Sequence, residues 1–286
     1  MTEASAGSRP KLLFALLSGT LVASACASSS IAPSRAASTS IEEESQSKCA
    51  PNPSLTNASQ RAQSLVSQMT LDEKLGQLNQ AAGGRSKSLN SKLTSDELEK
   101  VRRGEIGSYL HVAGAEPLGE LQKVAVEESR LGIPLLFAMD VVHGYRTIFP
   151  VPLAMAASWE PELWEKAARI SADEASASGL HWTFAPMIDI SRDPRWGRIV
   201  EGAGADPYLG SRMAVAQVQG YQGEDLSNST TILAATKHFG AYGAPTGGRD
   251  YGSADISEQS LMEGYLPPFY AATKAGTGSM MTAFND

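Results

Sequence analysis

Apolar residues recur along the chain in two alternating patterns, which are short continuous runs and longer stretches at helical spacing. The continuous runs, each of strand length, lie at residues 106–112, 134–140, 182–189, 232–239 and 278–286. The stretches at helical spacing between them predict helices at residues 118–130, 161–178, 206–221 and 257–275. Strands that alternate with helices in this way are typical of βαβ units with a parallel sheet.

Two further helices are predicted before the first strand. The segment "RAQSLVSQMTLDEKLGQL" has apolar residues at helical spacing in two pieces that join near Met69. Thr70 followed three residues later by Glu73 is the capping-box pattern, in which each side chain accepts a backbone N–H from the other residue. We therefore expect the second helix to begin directly after Thr70.

Polar side chains follow the apolar part of the later strands. They are Asp140, Asp189, Lys237 with His238, and Asn285 with Asp286. In a (β/α)8 barrel the active site gathers at this end of the strands, so the repetition favours a barrel over a doubly wound sheet. Eight βα units typically take about 250 residues, whereas the pattern supplies five strands. The sequence thus predicts an incomplete (β/α)8 TIM-like barrel with about five βα units, truncated at its C-terminus.

The first residues predict export. Lys11 precedes the apolar stretch "LLFALLSGTLVASACA", which has the length and the small terminal residues of a signal peptide. Cys26 follows "VASA", similar to a bacterial lipobox although Ala23 stands where that pattern prefers Leu, so lipidation of Cys26 and ordinary cleavage after Ala25 both stay open. We predict a signal peptide at 1–27, a flexible linker at 28–56 and a folded domain at 57–286, in a bacterial periplasmic protein or outer-membrane lipoprotein.

Composition and charge narrow the function classes. Of the 286 residues, 42% are hydrophobic and 19% are charged, which is typical of a globular protein with a large core. The net charge of -7 provides no basic surface for nucleic acid and suits a neutral or cationic small substrate. The chain has two cysteines, Cys26 and Cys49, both before the folded domain, so no disulfide framework is predicted.

The polar residues near the strand ends suit a polyol ligand. Carboxylates and cations bind hydroxyl groups through charged hydrogen bonds, and aromatic rings stack on sugar faces. The segments that carry them are "MDVVHGYRTIFP", "MIDISRDPRWGRIVEGAGADP", "TKHFGAYG" and "GGRDYGSADIS". Asp189, Asp193 and Arg195 also allow a purely structural interpretation, in which they pair to brace a loop.

Two other chemistries compete with sugar binding. A metal site could use Asp140, His143 and His238, but the chain has four histidines and no HExxH motif. A Schiff-base aldolase would use Lys237 as nucleophile, and that chemistry needs a desolvated lysine with a depressed pKa. His238 and the neighbouring carboxylates favour a charged ammonium instead, so neither alternative is preferred.

Taken together, the motifs show a family resemblance. In order, "MTLDEKLGQL", "AMDVVHGYRTIFP", "DISRDPRWGRIVEGAGADPYL", "KHFGAYG", "GGRDY" and "MMTAFND" resemble the N-terminal barrel domain of glycoside hydrolase family 3. The resemblance runs from about Arg61 to the last residue and is nearest to the bacterial exported β-glucosidases. It implies hydrolysis of terminal, non-reducing β-D-glucosyl residues with retention, without metal or cofactor, with a β-glucoside or oligosaccharide as substrate.

The resemblance also implies roles for seven residues. Asp140 corresponds to the carboxylate that accepts hydrogen bonds from the non-reducing glucose. Arg198, Lys237 and His238 correspond to donors to other hydroxyls of the same ring. The remaining three are Glu201, which braces these cations, Arg249, which faces the pocket from the next loop, and Phe284, which stands where relatives have an aromatic side chain.

The family pattern is incomplete in this chain. The resemblance implies a nucleophilic aspartate in an "SD" motif and an acid/base glutamate, and both are expected beyond Asp286, so the fragment is predicted to be inactive alone. The related β-N-acetylglucosaminidases carry a histidine in the loop after the "KHF" strand, whereas "GAPTGGRDYGSADIS" has none. The alternatives that stay open are a β-xylosidase or other exo-β-glycosidase of the family, and a non-catalytic sugar-binding surface lipoprotein.

Overall fold

Helices and strands alternate through the folded region. The computed structural model describes residues 53–82, 93–112 and 114–285. Its helices are α1 (Pro53–Gln68), α2 (Leu71–Leu78), α3 (Ser95–Arg102), α4 (Ala115–Lys123), α5 (Pro152–Ala156), α6 (Pro161–Ala177), α7 (Pro207–Gln222), α8 (Glu258–Ser260) and α9 (Pro267–Lys274). Its strands are β1 (Gln80–Ala82), β2 (Ser108–Leu110), β3 (Leu136–Met139), β4 (Trp182–Thr183), β5 (Leu233–Phe239) and β6 (Ser279–Thr282).

Several predictions concern residues outside these ranges. The predicted signal peptide, Cys26, Cys49, residues 28–52 of the predicted linker and Asp286 lie outside the described residues. Helix α1 begins at Pro53, before the predicted start of the folded domain at residue 57. Within the described ranges, no helix combines the length and the apolar character that a membrane span requires.

The strands form one parallel sheet in chain order. The six strands make five successive parallel pairs, and Ser108 of β2 lies opposite Gln80 on one side and Leu136 on the other. The sheet curls into a half-barrel with helices around it, which confirms the incomplete (β/α) barrel. Parallel strands joined by helical crossovers bring all their carboxyl ends to one edge.

The sheet carries apolar side chains on both faces. One cluster contains Ala138, Phe184 and Ala235, with partly buried Leu110 and Met281 packed against it. The larger cluster joins the sheet to the surrounding helices and includes Phe137, Ala234 and residues of α4, α6, α7 and α9. Successive strand residues point to opposite faces, so Ala234 and Ala235 belong to different clusters. This two-sided burial explains the continuous apolar runs of the sequence.

Some predicted elements differ from those observed. Strand β1 is absent from the prediction and makes a sixth strand, because it has three residues and no apolar run. The predicted strand at 182–189 forms a continuous ladder at Trp182–Thr183 and an isolated parallel bridge between Met187 and Lys237, and Pro186, which has no N–H to donate, stands between them. The predicted helix at 257–275 is divided into α8, a π-helical turn at Leu261–Tyr265 and α9, which starts with two prolines.

Other helix predictions are confirmed. Thr70 caps α2, its hydroxyl accepts the Glu73 N–H at 3.2 Å, and the Glu73 carboxylate accepts the Thr70 N–H at 2.8 Å. Helices α6 and α7 have the predicted bounds to within a residue, with Asp206 as the cap of α7. The predicted helix at 118–130 is observed as α4 followed by a π-helical turn at Val124–Glu128.

Helices α6 and α7 pack closely at Gly220. A Cβ atom at this position would lie 2.5 Å from the Glu165 carbonyl oxygen and 2.6 Å from the Ala168 Cβ. Both contacts are far below van der Waals separation, and one of them is with backbone. The approach of the two helices behind β4 and β5 therefore depends on the absence of a side chain at Gly220.

We predict that Gly220→Ala destabilises the domain by about 1–3 kcal/mol, because the methyl group has to separate two packed helices. Chemical unfolding followed by circular dichroism measures the change in the free energy of unfolding. Gly119→Ala is the matched control, since Gly119 is exposed in helix α4 and a Cβ atom there would have no neighbour within 4 Å. The control should stabilise by about 0.5–1 kcal/mol, and equal effects of both substitutions would contradict the prediction.

Candidate active site

An ion pair between Asp140 and Lys237 lies at the carboxyl end of the sheet. Asp140 follows β3, Lys237 belongs to β5, and the Lys237 Nζ lies 2.7 Å from the Asp140 Oδ1. The Lys237 side chain is 3% exposed, whereas that of Asp140 is 37% exposed. The structure thus brings two of the predicted site residues together, with the cation beneath and the carboxylate open to solvent.

His111 completes this group, although the sequence motifs do not single it out. Its Nε2 lies 2.9 Å from the Asp140 Oδ2, so each carboxylate oxygen has a nitrogen partner. Burial raises the pKa of Asp140, but the charge and hydrogen bond of Lys237 and the hydrogen bond of His111 outweigh it, and the pKa lies below its ordinary value. The sequence could have identified His111 by its position, because it directly follows β2 as Asp140 follows β3.

His238 is held by Asp189. The Asp189 Oδ2 accepts the His238 backbone N–H at 2.9 Å and lies 2.8 Å from its Nδ1. Burial raises the pKa of Asp189 above its ordinary value, against the opposing hydrogen bond and charge of His238. The contact fixes the His238 ring, with its Nδ1 directed at the carboxylate. The interpretation of Asp189 as a loop brace with Arg195 is therefore wrong.

That interpretation is confirmed for the other two residues. Asp193 and Arg195 form a two-pronged pair, with the Arg195 Nη2 at 2.7 Å from the Asp193 Oδ2 and its Nε at 3.0 Å from Oδ1. The hydrogen bonds from Arg195 lower the pKa of Asp193 to about 2. The Arg195 side chain is largely exposed, so this pair holds the loop at its surface.

Arg198 and Glu201 form a second two-pronged pair. The Arg198 Nε and Nη2 donate to the two Glu201 carboxylate oxygens at 2.7 and 2.9 Å. The hydrogen bond to Glu201 raises the pKa of Arg198, which is therefore fully charged. The guanidinium carbon lies 5.4 Å from the centre of the Tyr242 ring, within the range of a cation–π contact. The bracing of Arg198 by Glu201 is thus observed.

Tyr242 connects the separate groups. Its ring meets that of His238 edge-on at 4.8 Å and that of Phe284 at 5.2 Å. Its hydroxyl donates to the Asp250 Oδ1 at 2.6 Å, and the Trp196 indole N–H donates to the same oxygen at 2.9 Å. Burial raises the Tyr242 pKa, and its hydrogen bond to Asp250 adds to this.

Phe284 and Arg249 differ in how they relate to this group. The Phe284 ring lies 4.9 Å from that of His238, beside the cluster, and Phe284 is about half exposed. Arg249 is exposed and directly precedes Asp250. In the part of the chain that the structure describes, the Arg249 side chain is not joined to the cluster by an ion pair. Its role at the site stays a prediction.

The resulting edge has a distinctive electrostatic character. It presents two cations, Lys237 and Arg198, and two imidazoles, His111 and His238, each in contact with a carboxylate, together with aromatic rings. A lysine ammonium has three donors, of which one is used by Asp140, and a carboxylate has further lone pairs besides those used here. Such an edge can bind a neutral ligand that has several hydroxyl groups.

The competing chemistries find little support in the geometry. His143 directs its Nδ1 to the Phe149 carbonyl oxygen at 2.9 Å rather than toward Asp140. Across the described ranges, no three His, Cys, Asp or Glu side chains are grouped as metal ligands. The Lys237 amino group donates to the Asp140 carboxylate at 2.7 Å and so serves as a hydrogen-bond donor in this structure.

Comparison with known proteins finds members of one enzyme family. The sequence model of the Glycosyl hydrolase family 3 N terminal domain matches residues 70–286. A periplasmic beta-glucosidase of Salmonella typhimurium is 41% identical over 77% of this chain and 28% of its own length. A putative beta-xylosidase of Formosa agariphila is 36% identical over 84% of this chain and 34% of its own length.

Solved structures resemble the fold as well. The crystal structure of a mutant beta-glucosidase from Listeria innocua in complex with laminaribiose has a TM-score of 0.72 and 42% identity, over 79% of this chain and 33% of that one. The chain thus spans about a third of the length of these relatives. The family match covers more than half of the chain, and the chain belongs to glycosyl hydrolase family 3.

Proposed function

We propose that this chain is the sugar-binding part of an exo-acting β-glucosidase that serves carbohydrate catabolism. The enzyme would hydrolyse terminal, non-reducing β-D-glucosyl residues with retention, without metal or cofactor. The main support for the proposal is the ion pair between Asp140 and Lys237, in which the Asp140 carboxylate is open to solvent. The relative from Salmonella typhimurium, a beta-glucosidase by name, supports the choice of sugar.

In this proposal one glucose ring lies over the carboxyl edge of the sheet. Asp140 accepts hydrogen bonds from its hydroxyls, and Lys237, His238 and Arg198 bind the others. Charge-assisted hydrogen bonds of this kind are stronger than neutral ones and depend on fixed geometry. The pairs that hold these side chains before a ligand arrives reduce the ordering that binding requires. Phe284 and Tyr242 supply the apolar border against which a sugar ring can rest.

The two reacting carboxylates are proposed to come from outside this chain. A retaining glycosidase needs one carboxylate to attack and one carboxylic acid to protonate the leaving group, about 5 Å apart. Asp140 has a lowered pKa, so it is ionised near neutral pH and cannot act as the acid. Glu201 and Asp250 are likewise occupied, one by Arg198 and the other by Tyr242. We accordingly assign binding, and not proton donation, to these carboxylates.

A β-xylosidase is the second candidate function. It is favoured by the beta-xylosidase and the putative beta-xylosidase of Formosa agariphila, which are 40% and 36% identical to this chain. Xylose has the same ring hydroxyls as glucose and lacks only the hydroxymethyl group. The described contacts fit ring hydroxyls in either sugar. The ratio of activity on the two aryl glycosides distinguishes the candidates.

We also propose that the protein is exported to the periplasm. The signal-peptide pattern of residues 1–27 supports it, and so does the relative named a periplasmic beta-glucosidase. Anchoring through a lipid on Cys26 is a further proposal, which rests on the lipobox-like "VASAC" alone. One acyl-modified cysteine at the mature N-terminus would attach the enzyme to a membrane surface.

The exchange Asp140→Asn in the complete protein tests the function. It keeps the shape but removes the charge that binds the sugar, so kcat/KM should fall about 30- to 150-fold, or ~2–3 kcal/mol. Steady-state hydrolysis of aryl-β-glucoside and aryl-β-xyloside measures the change, with thermal unfolding as the control for folding. Near-normal kinetics of a folded Asp140→Asn enzyme would contradict the assignment of Asp140 to sugar binding.

The pH dependence of sugar binding should reflect Asp140. Because the pKa of Asp140 lies below its ordinary value, the acceptor stays ionised over the pH range in which a free aspartate becomes protonated, and binding is lost only at lower pH. Lys237 and His111 are the charged or titratable groups in contact with it. The inhibition constant of D-glucose, measured between about pH 3 and pH 6, reports the effect. An acid limb that Asp140→Asn retains unchanged would contradict this assignment.

Fractionation of cells tests the lipid anchor. We expect the wild-type protein in the membrane fraction and Cys26→Ala in the soluble periplasmic fraction, because the acyl chain needs the Cys26 thiol. Cys49→Ala is the matched control and should fractionate as the wild type does. Soluble wild-type protein, cleaved after Ala25, would show that the signal peptide is of the ordinary kind.

A further inference from the structure

Asp140, Lys237 and His111 form one group of side chains, and His111 is the member for which the family resemblance gives no role. It stands directly after β2, and its Nε2 reaches the Asp140 Oδ2 at 2.9 Å. Its side chain is 47% exposed, compared with 3% for Lys237 on the other oxygen. The carboxylate therefore has a buried partner below and an exposed partner at the solvent side, where a ligand enters.

The backbone at His111 is unusual. Its φ of 58° lies in the left-handed region, which is uncommon outside glycine, although asparagine, aspartate and histidine adopt it more often than other residues. The His111 N–H donates to the Ala138 carbonyl oxygen at 2.9 Å, so the strained peptide is tied to β3 two residues before Asp140. Such strain persists only where the surrounding structure holds it in place. Here it turns the imidazole toward the carboxylate.

The two contacts together determine the plane of the carboxylate. Lys237 alone would leave Asp140 free to rotate about its last side-chain bond, since a single ammonium can follow one oxygen. With His111 on Oδ2 and Lys237 on Oδ1, both oxygens have fixed positions. Each oxygen keeps one further lone pair, so the carboxylate can accept from two hydroxyl groups of one sugar ring.

We propose that His111 is a positioning residue that fixes the Asp140 carboxylate in the orientation that binds two sugar hydroxyls. The inference rests on the proposed function, because it assumes that Asp140 binds the sugar. His111 acts through Asp140 and takes no part in bond cleavage. Its loss weakens the binding of the substrate in the ground state and in the transition state alike.

Two substitutions at His111 distinguish the effect of side-chain length, which determines contact with Asp140, from the effect of the left-handed backbone conformation. His111→Asn suits the left-handed backbone, but its amide nitrogen is one bond closer to Cβ and falls short of Asp140. His111→Gln places an amide N–H the same number of bonds from Cβ as Nε2 and restores a donor to the carboxylate. Both are made in the complete protein, alone and together with Asp140→Asn.

Steady-state kinetics with an aryl-β-glucoside give the decisive readout. For His111→Asn we expect KM to rise about tenfold with kcat within about twofold, the pattern of lost uniform binding. The inhibition constant of D-glucose should rise in parallel. His111→Gln should recover most of the loss. In the Asp140→Asn background, His111→Asn should change KM by less than about twofold, because the partner that it positions is gone.

The outcomes are distinguishable. A merely structural role would lower the melting temperature and the active fraction, hence kcat, with KM unchanged, and would overturn the proposal. So would a KM effect of equal size in the wild-type and Asp140→Asn backgrounds, or a failure of His111→Gln to restore KM. If Asp140→Asn alone leaves kcat/KM unchanged, the proposed function fails, whatever His111 does.

Discussion

The ion pair between Lys237 and Asp140 is the constraint on which the rest of the site depends. An ammonium that is 3% exposed is stable only beside a counter-charge, because desolvation of an unpaired cation is costly. The two residues come from β3 and β5, which are separated in the sheet by β4. The pair can therefore form only when three parallel strands end at the same edge, so the order and register of the sheet are prerequisites of the site.

The same edge is organised by three further carboxylates with different partners. Asp189 fixes the ring of His238, Glu201 fixes the guanidinium of Arg198, and Asp250 fixes the hydroxyl of Tyr242. These residues belong to β5 and to the loops that follow β4 and β5, and Tyr242 brings their side chains into contact. Each functional group is thus held by a neighbour before a ligand arrives, which lowers the conformational cost of binding.

The sequence predicts the barrel class, the capping box of α2 and the residues at the strand ends, because each has a local signal. Thr70 and Glu73 are three residues apart, and Asp140 and Lys237 end apolar runs. It does not predict β1, whose three residues carry no apolar pattern. Nor does it predict the pairing of Asp189 with His238, since Arg195 is much nearer to Asp189 in sequence and the true partner is 49 residues away. Contacts between strand ends depend on register, and composition and periodicity do not determine it.

The protonation states at this edge explain why binding and bond cleavage are separate tasks. Asp140 and Asp193 accept hydrogen bonds from cations, which lower their pKa values and keep them anionic. Asp189 has a raised pKa, but it is buried and directed at His238, so it has no access to a leaving group. A proton donor for glycoside cleavage needs a carboxyl group that is both raised in pKa and open to substrate. The interactions that allow this edge to bind hydroxyl groups also prevent its carboxylates from acting as the proton donor to the leaving group.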